Sequence, residues 1–277
     1  MRPTADWALI QSSMATPAPT PAPTTEGELL FQNYLDAMHY QYEFERQFPG
    51  KSKRPDYTVT RDDNPFLFDV KDFDPYMPLG FGAYDPYPPV REKIEQGREK
   101  FKEFKEYPCS LVLKNNGNAF VHLESPDIVL GSMYGDSGFT FPVDINVGKA
   151  VGPMKRAFLG RGKMIRPTHH QNTTISALIT LRHVGVGMRQ YRTMVKKYPN
   201  LSVEETLAAT AEAYPNFDIG EKQLGVIVWE NAVARISLSR ELFTDPYDER
   251  WGYDDGCQAV VFRGEKLAEL SEDDVET

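Results

Sequence analysis

The sequence predicts an α/β domain in which helices flank a mixed sheet, with a helical insertion. Three observations support this prediction. Residues 54–73 (RPDYTVTRDDNPFLFDVKDF) form two extended runs around a turn-forming segment, which is typical of a β-hairpin. A helical pattern precedes the hairpin, and a charged helical pattern with a short apolar run follows it. Residues 224–229 (LGVIVW) indicate a buried strand that returns to the same sheet.

Length and composition are those of a globular protein. The chain has 277 residues, enough for one large domain or two small ones, and its 40% hydrophobic and 12% aromatic content argues against global disorder. Cys109 and Cys257 lie far apart, so neither a disulfide framework nor a metal-type spacing is indicated. No apolar run approaches the ~20 residues of a membrane span. We therefore expect a cytoplasmic protein with no membrane partner.

The two ends of the chain differ from the middle in composition. Residues 1–25 end in an alternating proline tract (ATPAPTPAPTT), which predicts a disordered tail. The folded domain is expected over residues 26–262, followed by an acidic tail at 263–277. Residues 245–277 hold 11 acidic and 3 basic residues, a difference of −8 against a total of −9. The rest of the chain is close to neutral, so the overall charge does not exclude a nucleic-acid partner.

Apolar residues recur at helical spacing over residues 26–40, the first predicted helix. Thr25 and Glu28 match a capping box, in which the glutamate closes the N-terminus of the helix.

The hairpin concentrates the chemistry of the sequence. Pro55 and Asp56 open its first strand, and Asp69, Val70 and Lys71 lie on the second. Because side chains on a strand alternate faces, Asp69 and Lys71 point the same way, and pairing of the strands can bring Asp56 alongside Asp69. Two close carboxylates repel unless a cation lies between them, and a hard divalent ion such as Mg²⁺ or Mn²⁺ suits oxygen ligands.

At Pro55, Asp56, Asp69 and Lys71 the chain resembles the PD-(D/E)XK nuclease superfamily, which has a restriction-endonuclease-like fold. The predicted order of helix, strand, strand, helix and strand is similar over residues 26–114, and 224–262 is loosely similar. The resemblance implies a metal-dependent nuclease that uses Mg²⁺ or Mn²⁺ to hydrolyse phosphodiester bonds, with DNA as the expected substrate. The alternatives are a non-catalytic nucleic-acid-binding or complex-forming protein on this fold, and a purely structural hairpin.

The resemblance also assigns roles to residues. Asp56 and Asp69 would ligate the metal together with the Val70 carbonyl. Lys71 would position or deprotonate the attacking water and stabilise the phosphate. Glu28 would be a helical glutamate that faces the metal directly or through water, which is the alternative to its role in the cap.

Residues 90–106 predict a strongly charged helix with an apolar stripe of Ile94, Phe101 and Phe104. We interpret most of its charges as a solvated face with pairs at i,i+4 spacing. The resemblance implies that Gln96 on this helix orients the water or the phosphate. Pro108 ends the helix, and residues 110–114 (SLVLK) predict the third strand of the sheet.

Two basic segments are the candidate contacts to a nucleic-acid backbone. One directly precedes the hairpin, and the other, residues 149–170, contains no acidic residue. The alternatives are a solvated loop for the first and a basic loop that pairs with the acidic C-terminus for the second. The candidate residues are Lys51, Lys53, Arg54, Lys155, Arg156, Arg161, Lys163 and Arg166.

The helical insertion is predicted over about residues 145–220, with helices at 173–183, 187–198 and from Ser202 to about 214. His169 and His170 lack the spacing of a zinc site and are interpreted as structural or surface histidines. The sequence leaves open whether a homodimer or a partner subunit forms, and whether DNA or RNA is cut.

Overall fold

The structure is a computed structural model that describes residues 22–77, 84–166, 169–253, 259–263 and 266–267. It is an α/β fold in which helices cover a mixed sheet. The described helices are α1 Glu26–Ala37, α2 Tyr87–Phe101, α3 Pro126–Tyr134, α4 Val186–Lys197 and α5 Val203–Ala213. The strands are β1 Gln41–Phe44, β2 Tyr57–Arg61, β3 Asn64–Phe73, β4 Cys109–Asn115, β5 Asp136–Thr140, β6 Val143–Asp144, β7 Lys149–Ala150, β8 Lys155–Leu159, β9 Ile165–Arg166, β10 His169–His170, β11 Ile175–Gly185, β12 Lys222–Glu230, β13 Glu249–Tyr253, β14 Ala259–Arg263 and β15 Lys266–Leu267.

One sheet of nine strands organises the molecule, in the order β1-β2-β3-β4-β11-β12-β13-β14-β15. Its centre is parallel, because β3 pairs with β4 and β4 with β11 in the same direction. The pairs β1–β2, β2–β3 and β11–β12 are antiparallel. Three two-stranded ribbons, β5–β8, β6–β7 and β9–β10, lie outside this sheet.

The hairpin predicted at residues 54–73 is present as β2 and β3. Arg61 pairs with Asn64, so the loop consists of Asp62 and Asp63 alone. Both have positive φ, 48° and 61°. This is the pattern of a type I′ turn, whose twist matches that of the strands and which aspartate tolerates. The turn fixes the register that places the start of β2 beside the middle of β3.

The two faces of β3 belong to different hydrophobic cores. Phe68 and Val70 pack in the core that contains α1. Leu67 and Phe73 pack in the core that contains α2. Alternation along the strand therefore places Asp69 on the face that α2 covers.

The helix predicted at 173–183 is wrong: these residues form most of β11, between β4 and β12 in the middle of the sheet. A central strand is buried on both faces and shows a continuous apolar run, which periodicity cannot distinguish from a buried helix. In the described part of the insertion the helices are α4 and α5, and residues 136–166 and 169–170 contain the short ribbons.

The predicted tails fall mostly outside the described residues. Residues 1–21 and 268–277 are not described, and residues 263, 266 and 267 belong to strands β14 and β15 rather than to a tail. Among the described helices, none combines the length and the apolar character needed to cross a membrane.

Candidate active site

The candidate site lies where β2 begins, beside the middle of β3 and under α2. Tyr57 pairs with Phe68, so Asp56, one residue earlier, stands opposite Asp69. The carboxylate of Asp56 accepts a hydrogen bond of 2.7 Å from the Val70 amide. This bond fixes the orientation of the Asp56 side chain in the protein alone.

Two lysines complete the cluster. Lys100, on α2, donates to Asp56 Oδ1 at 2.5 Å, and its ammonium also contacts Asp69 Oδ1. The Lys71 Nζ atom lies 2.8 Å from Asp69 Oδ2. The structure therefore brings Asp56, Asp69 and Lys71 together, as the motif predicts, and adds a second ammonium from the neighbouring helix. Two negative and two positive groups make the cluster formally neutral.

Burial within the cluster is graded. Asp69 is 0% exposed and Asp56 8% exposed. The side chains of Lys71 and Lys100 are 23% and 22% exposed. The carboxylates are therefore buried on the face that α2 covers, and the two lysines that contact them are the more exposed members of the cluster. An anion that approaches from solvent meets the lysines first.

The electrostatics of the cluster call for a cation between the aspartates. Burial raises the pKa of Asp56, and repulsion from Asp69 raises it further, although Lys100 and the Val70 amide act in the opposite direction. Burial alone would lower the pKa of Lys100, but the carboxylates of Asp69 and Asp56 outweigh burial and raise it. Lys100 is therefore charged at neutral pH and compensates the repulsion.

The donor atoms of the cluster fit a hard divalent cation. Asp56 Oδ1 and Asp69 Oδ1 already converge on a single positive charge, that of Lys100. Both Asp69 oxygens are buried and have no partner beyond these ion pairs. Thr58, on β2, is on the same face of the sheet as Asp69, and its buried hydroxyl has no hydrogen-bond partner. The described residues contain no group of three or more acidic, His or Cys side chains suited to a metal. Carbonyl and water oxygens would have to complete the coordination.

Glu28 belongs to the helix cap and not to this cluster. Its carboxylate accepts hydrogen bonds from the Thr24 and Thr25 amides at 2.7 and 3.1 Å, which closes the predicted capping box. Helix α1 packs on the Phe68 face of the sheet, whereas Asp69 points to the opposite face. The structure therefore places Glu28 in the cap of α1, a helix that covers the other side of β3, and does not bring it to the aspartates.

Gln96 is exposed, and its amide donates to Glu92 at 3.2 Å. The residue of α2 that reaches the aspartates is Lys100, four positions later. The sequence contained a signal for it: Lys100 adjoins Gly97 and Phe101, both on the buried stripe of the helix. The charge pattern of the helix nevertheless favours a solvated face, because the path of α2 along β3 cannot be derived from periodicity.

The basic residues before the hairpin bind the end of α2. The Lys51 ammonium contacts the Glu103 carbonyl, and the Lys53 ammonium contacts the Glu99 carbonyl. Cations at a helix C-terminus are stabilised by its unpaired carbonyls and its dipole. These lysines therefore fasten the segment that leads to Asp56 onto the helix that carries Lys100. Arg54 is exposed.

The second basic segment is partly neutralised. Arg161 lies 3.5 Å from Asp136, and Lys163 lies 2.9 Å from Glu95 of α2. The remaining predicted contacts lie on β8 and β9, and their side chains fall outside the described part of the chain: Lys155, Arg156 and Arg166. The two histidines form β10 and are exposed.

Comparison with known proteins leaves the site without a relative to guide its interpretation. No family model, no curated protein and no solved structure matches the chain. The case for a function therefore depends on the cluster of two aspartates and two lysines described above.

Proposed function

We propose that this protein is a metal-dependent nuclease that hydrolyses phosphodiester bonds in DNA, with Mg²⁺ or Mn²⁺ as its cofactor. One observation carries the proposal: Asp56 and Asp69 converge on a single cationic position beneath two partly exposed lysines. We place the protein in the cytoplasm, since the described Cys109 is a buried free thiol.

In this proposal Asp56 and Asp69 hold the metal, with the Val70 carbonyl as a further ligand. A bound divalent cation would polarise the phosphate and lower the pKa of a coordinated water. Asp69 lies between this position and Lys71, whose ammonium is 2.8 Å away. Lys71 is thereby held where it can orient the water and stabilise the charge that develops on the phosphate.

In this proposal the partners of Lys100 differ between the metal-free and the metal-bound protein. In the protein alone its ammonium neutralises both carboxylates. A divalent cation would need the same two oxygens, so Lys100, whose side chain is 22% exposed, would have to leave them. With the carboxylates given to the metal, both lysines bear uncompensated charge. The site then changes from neutral to net positive, which favours a polyanionic substrate.

One observation favours a second candidate function. Lys100 already satisfies the charge of the aspartates, so the cluster is stable as an ion-pair tie between α2 and the hairpin. A non-catalytic nucleic-acid-binding or complex-forming protein on a nuclease-like fold needs no more than this. Metal binding separates the two functions, because a structural tie has no use for Mg²⁺.

The central test is cleavage of plasmid DNA, linear duplex, single strands and RNA in the presence of Mg²⁺, Mn²⁺ or EDTA. Asp69→Asn should lower the cleavage rate by roughly 100- to 1,000-fold or more, because the metal loses a charged ligand. Asp62→Asn is the matched control: it makes the same change on the same hairpin, at an exposed turn residue outside the cluster.

Cleavage that persists in EDTA, or in Asp69→Asn, would contradict the proposal. Calorimetric titration with Mg²⁺ gives a second measurement that does not depend on the choice of substrate. The wild-type protein should bind Mg²⁺ and Asp69→Asn should not. A folded wild-type protein that takes up no Mg²⁺ would favour the non-catalytic alternative.

A further inference from the structure

Thr58 carries a buried hydroxyl that has no hydrogen-bond partner among the described residues. The residue is 0% exposed, so bulk solvent does not satisfy the hydroxyl either. A buried polar group without a partner destabilises the folded state. Valine has nearly the same shape and lacks the polar atom, so packing alone does not explain a threonine at this position.

The register of the hairpin places this hydroxyl beside the aspartates. Thr58 pairs with Leu67, and Asp69 follows two residues later on the same face of β3. Thr58 and Asp69 are therefore diagonal neighbours across the two strands. Such neighbours have Cα atoms about 7–8 Å apart, and their side chains come closer than that when they point toward each other.

The neighbour of Thr58 on the other side of β2 already has a different partner. Glu43 of β1 pairs with Thr58 in the sheet, so the two side chains share a face. The Glu43 carboxylate forms an ion pair with Arg46 at 2.9 Å, and its side chain is 59% exposed. Of the two acidic neighbours of Thr58, Asp69 is the one that is buried.

Asp69 is short of hydrogen-bond donors. An ionised carboxylate has about four acceptor positions, yet the described contacts of Asp69 are the two ammonium groups of Lys71 and Lys100. Carboxylates that ligate a metal are themselves hydrogen-bonded by neighbouring groups, and losing such a neighbour typically costs roughly 10- to 100-fold in metal affinity. Once Lys100 has left the aspartates, Asp69 retains Lys71 alone.

We propose that Thr58 is a positioning residue of the metal site, whose hydroxyl donates a hydrogen bond to Asp69 in the metal-bound protein. The inference rests on the proposed function, because it concerns the state in which Lys100 has left the carboxylates. A rotation about χ1 of Thr58 directs the hydroxyl toward Asp69. The bond then orients the Asp69 carboxylate, as the Val70 amide orients that of Asp56. A hydroxyl that destabilises the metal-free protein thereby supports metal binding.

The test compares Mg²⁺ affinity with stability in two variants of Thr58. Calorimetric titration should give Thr58→Val a dissociation constant for Mg²⁺ roughly 10- to 100-fold above that of the wild type, because Asp69 loses its donor. Thr58→Ser keeps the hydroxyl and should bind Mg²⁺ with nearly the wild-type affinity. In EDTA, Thr58→Val should need more urea to unfold than the wild type, because the unpaired hydroxyl is gone. A residue that only packs would not move these two measurements in opposite directions.

Ser110→Ala is the matched control. Ser110 is also 0% exposed, and its hydroxyl also has no hydrogen-bond partner among the described residues. It pairs with Phe68 in the sheet and therefore lies on the face that α1 covers, opposite to Asp69. Removing this hydroxyl should leave the Mg²⁺ affinity unchanged.

The outcomes separate this inference from the nuclease proposal. If the wild type binds Mg²⁺ and Thr58→Val binds it equally well, the role of Thr58 is refuted and the proposed metal site remains. A wild-type protein that binds no Mg²⁺ refutes both. A Thr58→Val variant that is less stable than the wild type in EDTA would show that the hydroxyl already has a partner in the metal-free protein, which also overturns the inference.

Discussion

Two buried carboxyl groups in this protein are held in different ways. Asp248 accepts hydrogen bonds from the Tyr34 hydroxyl at 2.6 Å, the Val226 amide at 3.0 Å and the Asp245 amide at 3.0 Å. Asp56 instead has an ammonium as its main partner and lies beside a second carboxylate. Asp248 is therefore locked into the fold by directional bonds. A carboxylate compensated by a movable lysine can exchange that partner for another cation.

The pH dependence of stability should reveal Asp248. Burial raises its pKa to about 6, although the bonds from Tyr34, Val226 and Asp245 act in the opposite direction. The unfolded value is near 4, so the folded state holds the proton more tightly between these two values. The free energy of unfolding should therefore be highest below pH 4 and fall as pH rises toward 6, by up to about 3 kcal/mol from this group.

Urea denaturation between pH 4 and pH 7 measures this contribution when the wild type is compared with Asp248→Asn. Asparagine keeps an oxygen for the Val226 amide and does not ionise. The stability of the variant relative to the wild type should therefore improve as pH rises. Parallel curves for the two proteins would show that Asp248 is ionised throughout this range.

Whether the position of a single residue could be predicted from the sequence depends on how local its contacts are. The capping box of Thr25 and Glu28 could be predicted, because its two residues are only three positions apart in the sequence. The meeting of Asp56 with Asp69 could be predicted as well, because the turn chemistry sets the hairpin register. Lys100 could not, since its contact depends on where a separate helix comes to lie.

At the scale of elements, α2 returns along β3 in the opposite direction. Lys93 lies over the Phe73 ring at 5.5 Å near the end of β3, and Lys100 contacts Asp69 near its middle. Gly97 lies between them, where a Cβ atom would come within 3.0 Å of Leu111. This close approach lets a helix of ordinary length place a lysine over the aspartates.

Removing the ion pairs of Lys100 should distinguish the two functions that we propose for the cluster, metal binding and a structural ion pair. Lys100→Met leaves buried carboxylates with Lys71 alone, so the free energy of unfolding should fall by about 3 kcal/mol, the low end for a broken buried pair because Lys100 is partly exposed. Mg²⁺ should then stabilise the variant more than the wild type, since the Lys100 ammonium no longer competes for Asp56 and Asp69. Urea denaturation with and without Mg²⁺ measures both effects.

Lys102→Met is the control for this experiment. Lys102 forms an exposed pair with Glu99 at 2.8 Å on the same helix, so its loss should change stability by less than about 1 kcal/mol and leave the Mg²⁺ response unaltered. An equal Mg²⁺ response in Lys100→Met and the wild type would show that the ion does not use the position that Lys100 occupies.

The incorrect prediction of a helix at β11 also has its cause at the scale of elements. Its first seven residues, from Ile175, are buried, so the strand has no polar face to show the two-residue period. Only its neighbours in the sheet, β4 and β12, reveal what it is, and both come from distant parts of the chain. Hairpins and capped helices have local signals, whereas a central parallel strand is defined by non-local pairing.

At the scale of the whole molecule, charge limits how the protein would hold the nucleic acid that we propose as its substrate. The net charge is −9, with 31 basic residues against 40 acidic ones. Several of the basic side chains that the sequence predicts to contact nucleic acid have partners within the protein. Lys51 and Lys53 contact carbonyls at the end of α2, and Lys163 pairs with Glu95. Binding should therefore depend on a few local contacts near Lys71 and Lys100.

The salt dependence of duplex binding measures the number of such contacts. If two or three phosphates are neutralised, the logarithm of the association constant should fall with the logarithm of salt concentration with a slope of about −2 to −3. Fluorescence anisotropy of a labelled duplex with non-hydrolysable linkages, at a fixed Mg²⁺ concentration, gives this slope without cleavage. A slope of about −6 or steeper would require many more cations at the backbone. The basic segment at residues 149–170 would then have to contact the substrate.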